Sequence, residues 1–552
     1  MKIRSLLIIL ILTVFYTFSA YGQEKIEKKV QVVKAYKPKV QSAYKITELP
    51  EITDTTTTET EFNYYLLPKS IETEFEVNPI PPATMVGEPL TELYSRYVKV
   101  GMGTKLSPSA EVYISTKRNE NRSLGAFFQH RSSGGKVPLK NNERVFAGYN
   151  DNSLKLFGKQ MFEHAVLRAD ANLENNTNYF YGYHPSLDTT LEKNDIKQSF
   201  FRIDALASFH STYMDSTHLN YDLELDYDYI QDKFESKENG IALNGSFDKF
   251  IDNNIVGLNT GFKYLDLSSP QDTGSKTLFH FHPWIAKFGD EWKVKGGINF
   301  VAEAVNSNTK LLIYPVASME YDIVNQYIIP YAGIDGEINM HSYYKTTQHN
   351  PFVLPGLNLE NTNRKMIFYA GIKGNLSSST YYNTRVTYTY FDHMPFFIND
   401  VTQTDSLGNQ FGVIYDDGEY LNLFGEISFE FTNDISLRAQ GNIHQYTLYN
   451  EEQPWHKPVF DLTISGRYDI RDKIILNTDL YISGKRWVKY GLKGNAAEMD
   501  GFIDLNLGIE YRYSKVLSAY LKLNNILSDN YSEWSQYPVY GLHARLGISY
   551  AF

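Results

Sequence analysis

From about Leu93 to the C-terminus, apolar and polar residues alternate with a period of two. Ile503, Leu505, Leu507, Ile509, Tyr511 and Tyr513 are apolar, and Asp504, Asn506, Gly508, Glu510 and Arg512 stand between them. Phe460, Leu462, Ile464, Tyr468 and Ile470 keep the same rhythm, as do Leu421 to Phe431 and Ile435 to Ile443. Side chains of a strand point alternately to opposite faces, so each run has one apolar and one wet face. The runs are about 10–16 residues long, whereas soluble strands average about 5–6 and a bilayer-crossing strand needs about 9–11.

The connections alternate in length. Thr432–Asp434, Asn253–Asn254 and Ser514–Lys515 are tight and polar, whereas Tyr343–Lys365, Asp392–Asp417 and Lys485–Asp500 are long. Short turns on one side and long loops on the other characterise outer-membrane barrels; a soluble sandwich shows no such asymmetry. The expected fold is all-β: a transmembrane antiparallel barrel of about 22 strands, with even numbers from 16 to 22 tolerated. An even number puts both termini on the short-turn side, expected to be periplasmic. A barrel this wide has a lumen that wall side chains cannot fill.

The N-terminus carries different signals. Lys2 and Arg4 precede an apolar run from Leu6 to Phe18, and Ala20 and Gly22 suit a cleavage site, so residues 1–22 read as a secretory signal peptide. Its removal changes the net charge from −11 to −13. Residues 23–92 hold seven of the 20 prolines, a basic stretch from Lys25 to Lys45 and an acidic one from Glu48 to Glu76. This composition predicts an extended periplasmic segment, and residues 93–552 are expected to form the barrel. The acidic balance argues against nucleic-acid binding. The absence of cysteine excludes disulfides, thiolate metal sites and thiol nucleophiles.

The C-terminal passage gives a resemblance. Asn524, Asn525, Ile526, Leu527, Tyr531, Tyr537, Pro538 and Gly541 lead into a last alternating strand, Leu542 to Phe552. This is similar to the end of TonB-dependent receptors, and the style of the strands resembles the Bacteroidota members. Ile548, Tyr550 and the terminal Phe552 resemble the signal read by the outer-membrane barrel assembly machinery, which the resemblance implies as a partner in biogenesis. Val30, Gln31, Val32, Val33, Lys34, Ala35 and Tyr36 resemble a TonB box, a segment able to add a strand to an exposed sheet edge. TonB or another envelope protein is the implied partner of residues 23–92. The chain departs from the family at Tyr540, which spaces Pro538 and Gly541 differently, at Leu542, which stands where Arg is usual, and in residues 23–92, which are too short and proline-rich for the plug domain.

Few residues suggest chemistry. Asp222, Glu224, Asp226 and Asp228 share one face of a strand whose other face is Tyr221, Leu223, Leu225, Tyr227 and Tyr229. If the aromatic face meets lipid, the acidic row lines the lumen, where it would bind Ca²⁺, favour cations in a pore, or be balanced by Arg202, Lys233, Lys249 and Lys263. His280 and His282 share a strand face without an identifiable third metal ligand. His341 and His349 fall in a long loop and are expected to meet solvent. Trp455, His456, Trp487, Tyr490 and Trp534 read as an interfacial aromatic girdle, or as a stacking surface for sugars or proteins. No nucleophile elbow, P-loop or metalloprotease motif occurs. The sequence therefore points to a non-enzyme without cofactor or resident metal. Two roles remain: a barrel for solute transport, or a non-transporting scaffold or accessory subunit of an outer-membrane complex.

Overall fold

The computed structural model describes residues 94–552 apart from 118, 140–142, 184–191, 214–216, 271, 401–406 and 433. The signal, the leader and the Val30–Tyr36 segment lie outside the described residues. Twenty-two antiparallel strands form one sheet that closes on itself, the first, Arg96–Gly103, pairing with the last, His543–Ala551. Closure satisfies the backbone without leaving an edge, which is what permits a sheet to sit in lipid. Each strand pairs with its sequence neighbour in the barrel, and the spans run from 8 to 22 residues.

The alternation sorts the two faces of the wall. On Asn220–Asp232, Leu223, Leu225 and Tyr227 point outward and exposed. Across the ladder, Tyr227 pairs with Ile241 and Leu225 with Leu243, and these in turn sit opposite Tyr264 and Phe262. The outward positions thus form a continuous apolar belt, as a hydrocarbon surround requires. Phe288, Trp292, Tyr321, Tyr327, Tyr381, Tyr468, Tyr511 and Tyr550 are exposed beside the short turns or the C-terminus. These aromatics, rather than the loop tryptophans, make the girdle at that end.

The long connections are more ordered than their composition suggests. The strand Thr380–Asn399 and its neighbour Phe411–Thr432 run well into the stretch read as a loop between Asp392 and Asp417. A bulge between Phe391 and Met394 interrupts the rhythm, after which Met394–Asn399 pair with Phe411–Asp416. Phe396 and Ile398 are buried there against Trp455. The loop after Asn339 contains a short helix, α1 (Tyr343–His349), whose N-cap Ser342 accepts from the Lys345 N–H. Between Gly484 and Asp500 lies a small hairpin, Arg486–Lys489 with Ala496–Met499.

Candidate functional site

The long loops fold inward and meet. One buried cluster contains Phe200 and Leu267 from one arc of the wall and Phe397 and Phe411 from another. It also holds Tyr343, Tyr344 and Val353 from the α1 loop, and Trp534 and Tyr537 from the connection before the last strand. Residues so far apart around the circumference can touch only through the interior. The cluster is therefore a folded cap within the long-loop mouth. Trp534 packs against Phe397 at 5.2 Å and Phe411 at 5.5 Å between ring centres, and Phe352 stacks on Tyr537 at 3.7 Å. Trp534 is buried in this cluster and Trp455 in the one it forms with Phe396 and Ile398, which corrects their reading as an interfacial girdle. The loops carrying them turn toward the lumen, where aromatic surface is removed from water.

Polar contacts fix the cap to the wall. Glu238 accepts the backbone N–H groups of Tyr343 at 2.8 Å and Tyr344 at 2.9 Å. These are free donors at the start of α1, so the wall carboxylate supplies partners that the helix cannot. The Tyr343 hydroxyl donates to Asp232 at 2.8 Å, and Arg202 donates to Thr347 at 2.9 Å. Lys276 donates to the carbonyls of His341 and Leu359. Asn361 donates to Glu303, and Asn409 donates to the Phe180 carbonyl. Asp416 collects the N–H groups of Asn450 and Glu451, tying a third loop to the wall.

Histidines sit inside this assembly. His341, expected to meet solvent, is half-buried, and its Nε2 is 2.8 Å from the Thr362 hydroxyl. Burial, reinforced by Lys276 and other cations, lowers its pKa to about 4. His349 keeps an exposed edge but packs against Trp534 at 5.3 Å. His456 is buried, its Nδ1 lies 2.9 Å from the Phe397 carbonyl, and burial lowers its pKa to about 4. The neutral ring then carries its proton on Nδ1 and donates it to that carbonyl, while Nε2 has no partner among the described residues. No sequence pattern distinguishes His456 from a surface loop histidine; only the inward fold of its loop does.

Below the cap is a cavity of about 600 Å³. Glu224, Asp226 and Asp228 line it, joined by Glu174 and Asp204 from neighbouring strands and by Tyr344 and Lys345 from α1. Asp222 lies further along the strand, outside this lining. Of the four basic residues considered as partners of the row, Lys263 shares the cavity. Arg202 is instead turned to Asn176 and Thr347, and Lys233 to the Asn194 carbonyl. His280 also borders the cavity, and His282 lies opposite Asn259 on the next strand. Among the described residues no group of three His, Cys, Asp or Glu side chains is arranged to hold a metal ion. A second cavity, of about 360 Å³, lies between cap and wall beside His456, Arg486, Asp461 and Glu533. Ile548 and Tyr550 are exposed on the outward face of the last strand, with Phe552 just beyond its end.

No family model matches the sequence, and no curated protein matches it. Solved structures share its fold. The FrpB iron transporter from Neisseria meningitidis is 10% identical, with 84% of this chain and 83% of that one covered at a TM-score of 0.64. The pyoverdine outer-membrane receptor FpvA from Pseudomonas aeruginosa is 12% identical, covering 84% and 79% at a TM-score of 0.60. The ferric enterobactin receptor PfeA from Pseudomonas aeruginosa is 10% identical, covering 83% and 80% at a TM-score of 0.60. These neighbours are TonB-dependent outer-membrane receptors with a 22-strand barrel, and this chain has the same barrel fold.

Proposed function

We propose that this protein is an outer-membrane barrel that passes a solute across the membrane, with the inward-folded loops as its gate. The observation that carries the reading is the cap, built from loops and wall segments around the circumference and held to the wall by buried hydrogen bonds. A scaffold has no need of a 22-strand lumen, and a passive pore has no need of a cap. In this reading the short turns and both termini are periplasmic and residues 1–22 are removed on export. Residues 23–92 then reach toward a periplasmic partner, with Val30–Tyr36 as a strand for TonB or another envelope protein. The acidic row would favour a cationic or hydroxyl-rich solute below the gate. The transport roles in the neighbours' names support the general role and not a shared substrate.

The second reading, a scaffold or accessory subunit, is supported by residues 23–92, whose basic and then acidic stretches suit coupled folding onto a partner. Planar-bilayer conductance of the whole protein and of a variant lacking residues 343–361 separates the two. A silent wild type and a conducting variant support the gated transporter. Silence in both supports the scaffold, and a steadily conducting wild type rejects a closed gate. Deleting Val30–Pro38 tests the energised step: uptake should be lost while the barrel still inserts.

A further inference from the structure

The loop 449–459 carries a lysine that the cap does not use. Other lysines around it are matched. Lys489 lies 2.7 Å from Glu451, Lys485 pairs with Glu498, and Lys276 donates to two loop carbonyls. Lys457 differs: its Nζ has no ion-pair or hydrogen-bond partner among the described residues. Its backbone is fixed all the same. The Lys457 N–H donates to the Pro454 carbonyl at 3.0 Å, and the N–H of His456 donates to the Trp487 carbonyl at 2.8 Å. The side chain is half-buried. Burial lowers its pKa, and no carboxylate acts to restore it. Lys457 in turn adds to the burial that disfavours a proton on His349 and His456.

Lys457 borders the cavity of about 360 Å³ between cap and wall. His349 and Glu533 border it too and are exposed, so water reaches the space. Tyr446, Pro458 and Phe502 give it an apolar side, and each is half-buried and so keeps some surface uncovered. The remaining charges of the lining are engaged. Asp461 lies 2.6 Å from the His444 ring and accepts from Asn442 at 3.0 Å. Arg486 donates to the carbonyls of Ser532 and Glu533 and lies 5.2 Å from the centre of the Phe502 ring. The Glu533 carboxylate offsets the burial of Arg486. Among the described residues, Lys457 is the cation of this lining that no acid offsets. A charge drawn out of water without a partner is costly, and a counter-ion relieves the cost.

We infer that this cavity binds a small organic anion, with its carboxylate at Lys457 and a flat apolar ring against Tyr446, Pro458 and Phe502. The charge of the ligand follows from the unmatched ammonium, and its ring from the apolar side of the cavity. Its size follows from the volume: about 360 Å³ is near the lower end of the range for ligand cavities, about 300–1,000 Å³, and suits a single ring. The site is separate from the acidic cavity below the cap and does not rest on the gating role.

The test titrates the whole protein in detergent with benzoate and follows tryptophan emission, since Trp455 and Trp534 border the cavity. A saturable change is expected with benzoate and none with benzamide, which has the ring without the charge. Lys457→Met removes the charge from a side chain that makes no bonds, so heat-modifiable gel mobility should be unchanged. Its affinity for benzoate should fall by about tenfold or more, the loss expected for a charge-assisted contact. Lys457→Arg should bind within a few-fold of wild type. No saturable change up to about 10 mM benzoate, a concentration beyond which binding is negligible, would overturn the site. So would equal binding of benzamide, or undiminished binding by a folded Lys457→Met protein. Inorganic phosphate binding as tightly as benzoate would reject the ring as part of the ligand.

Discussion

Glu238 shows how one wall residue can hold a loop of the cap by direct hydrogen bonds. It is buried, it faces the lumen, and both its oxygens accept N–H groups of α1. Hydrogen bonds to a charged acceptor contribute about 1.5–3 kcal/mol each, and buried donors left without partners cost a similar amount. Glu238→Ala should therefore loosen the α1 loop by several kcal/mol while leaving the strand ladders intact. Limited proteolysis is the check: cleavage should appear within residues 340–361 in intact vesicles, and Glu238→Gln should be milder because one acceptor remains. His456 adds a pH dependence. Its folded pKa lies near 4 and its unfolded value near the usual 6.5, so between these values the unfolded loop binds more protons than the folded one. The cap is unaffected above pH 6.5, weakens as pH falls through that window, and has lost the full contribution below about 4. At about 1.4 kcal/mol per unit the loss reaches about 3 kcal/mol. His341 acts in the same direction. Tryptophan emission followed from pH 7.5 to 4 should shift to the red, and His456→Phe, which keeps a ring beside Phe411, should reduce that shift.

At the scale of elements, cap and wall are held by different forces and should come apart separately. The wall is a set of backbone ladders and the cap is aromatic packing with a few polar ties. Truncating a buried aromatic typically costs about 3–5 kcal/mol. Trp534→Ala should therefore lower the midpoint of cap disordering in guanidinium, read from the emission of Trp455 and Trp487. Barrel melting, read from far-ultraviolet dichroism, should move little; a single shifted transition common to both probes would show that cap and wall are one cooperative unit. This division also explains what the sequence disclosed. Strand alternation is a local pattern, so the barrel, its approximate strand number and the outward belt were legible from residues such as Ile503 to Tyr513. The cap was not, because its contacts join residues far apart in sequence. Phe200, Val353, Phe411 and Trp534 lie on four separate stretches and carry no shared periodicity. The extension of Thr380–Asn399 was hidden for a related reason: Pro395 and the bulge after Phe391 break the period that announces a strand.

For the whole molecule the decisive event is closure, when the first strand finds the last. Seven register pairs join Arg96–Gly103 to His543–Ala551. The main chains of Arg96 and Phe552 add two more hydrogen bonds, at 3.0 and 2.9 Å, and the Arg96 guanidinium lies 5.8 Å from the centre of the Phe552 ring. The ring itself is half exposed, so its removal should cost the finished barrel little: a cation–π contact at an exposed site contributes about 0.5–1 kcal/mol. If Phe552 serves only stability, Phe552→Gly should be nearly silent, since the glycine keeps both backbone bonds. If Ile548, Tyr550 and Phe552 are read by the assembly machinery as an outward apolar edge, the outcome in cells differs sharply from that in the tube. Protein refolded into detergent should keep its heat-modifiable gel mobility and its melting temperature. The same variant expressed in its host should accumulate unassembled in the periplasm. Equal outer-membrane yields of Phe552→Gly and wild type would remove the assembly role. A parallel loss of stability in refolded protein would assign the residue to closure of the barrel.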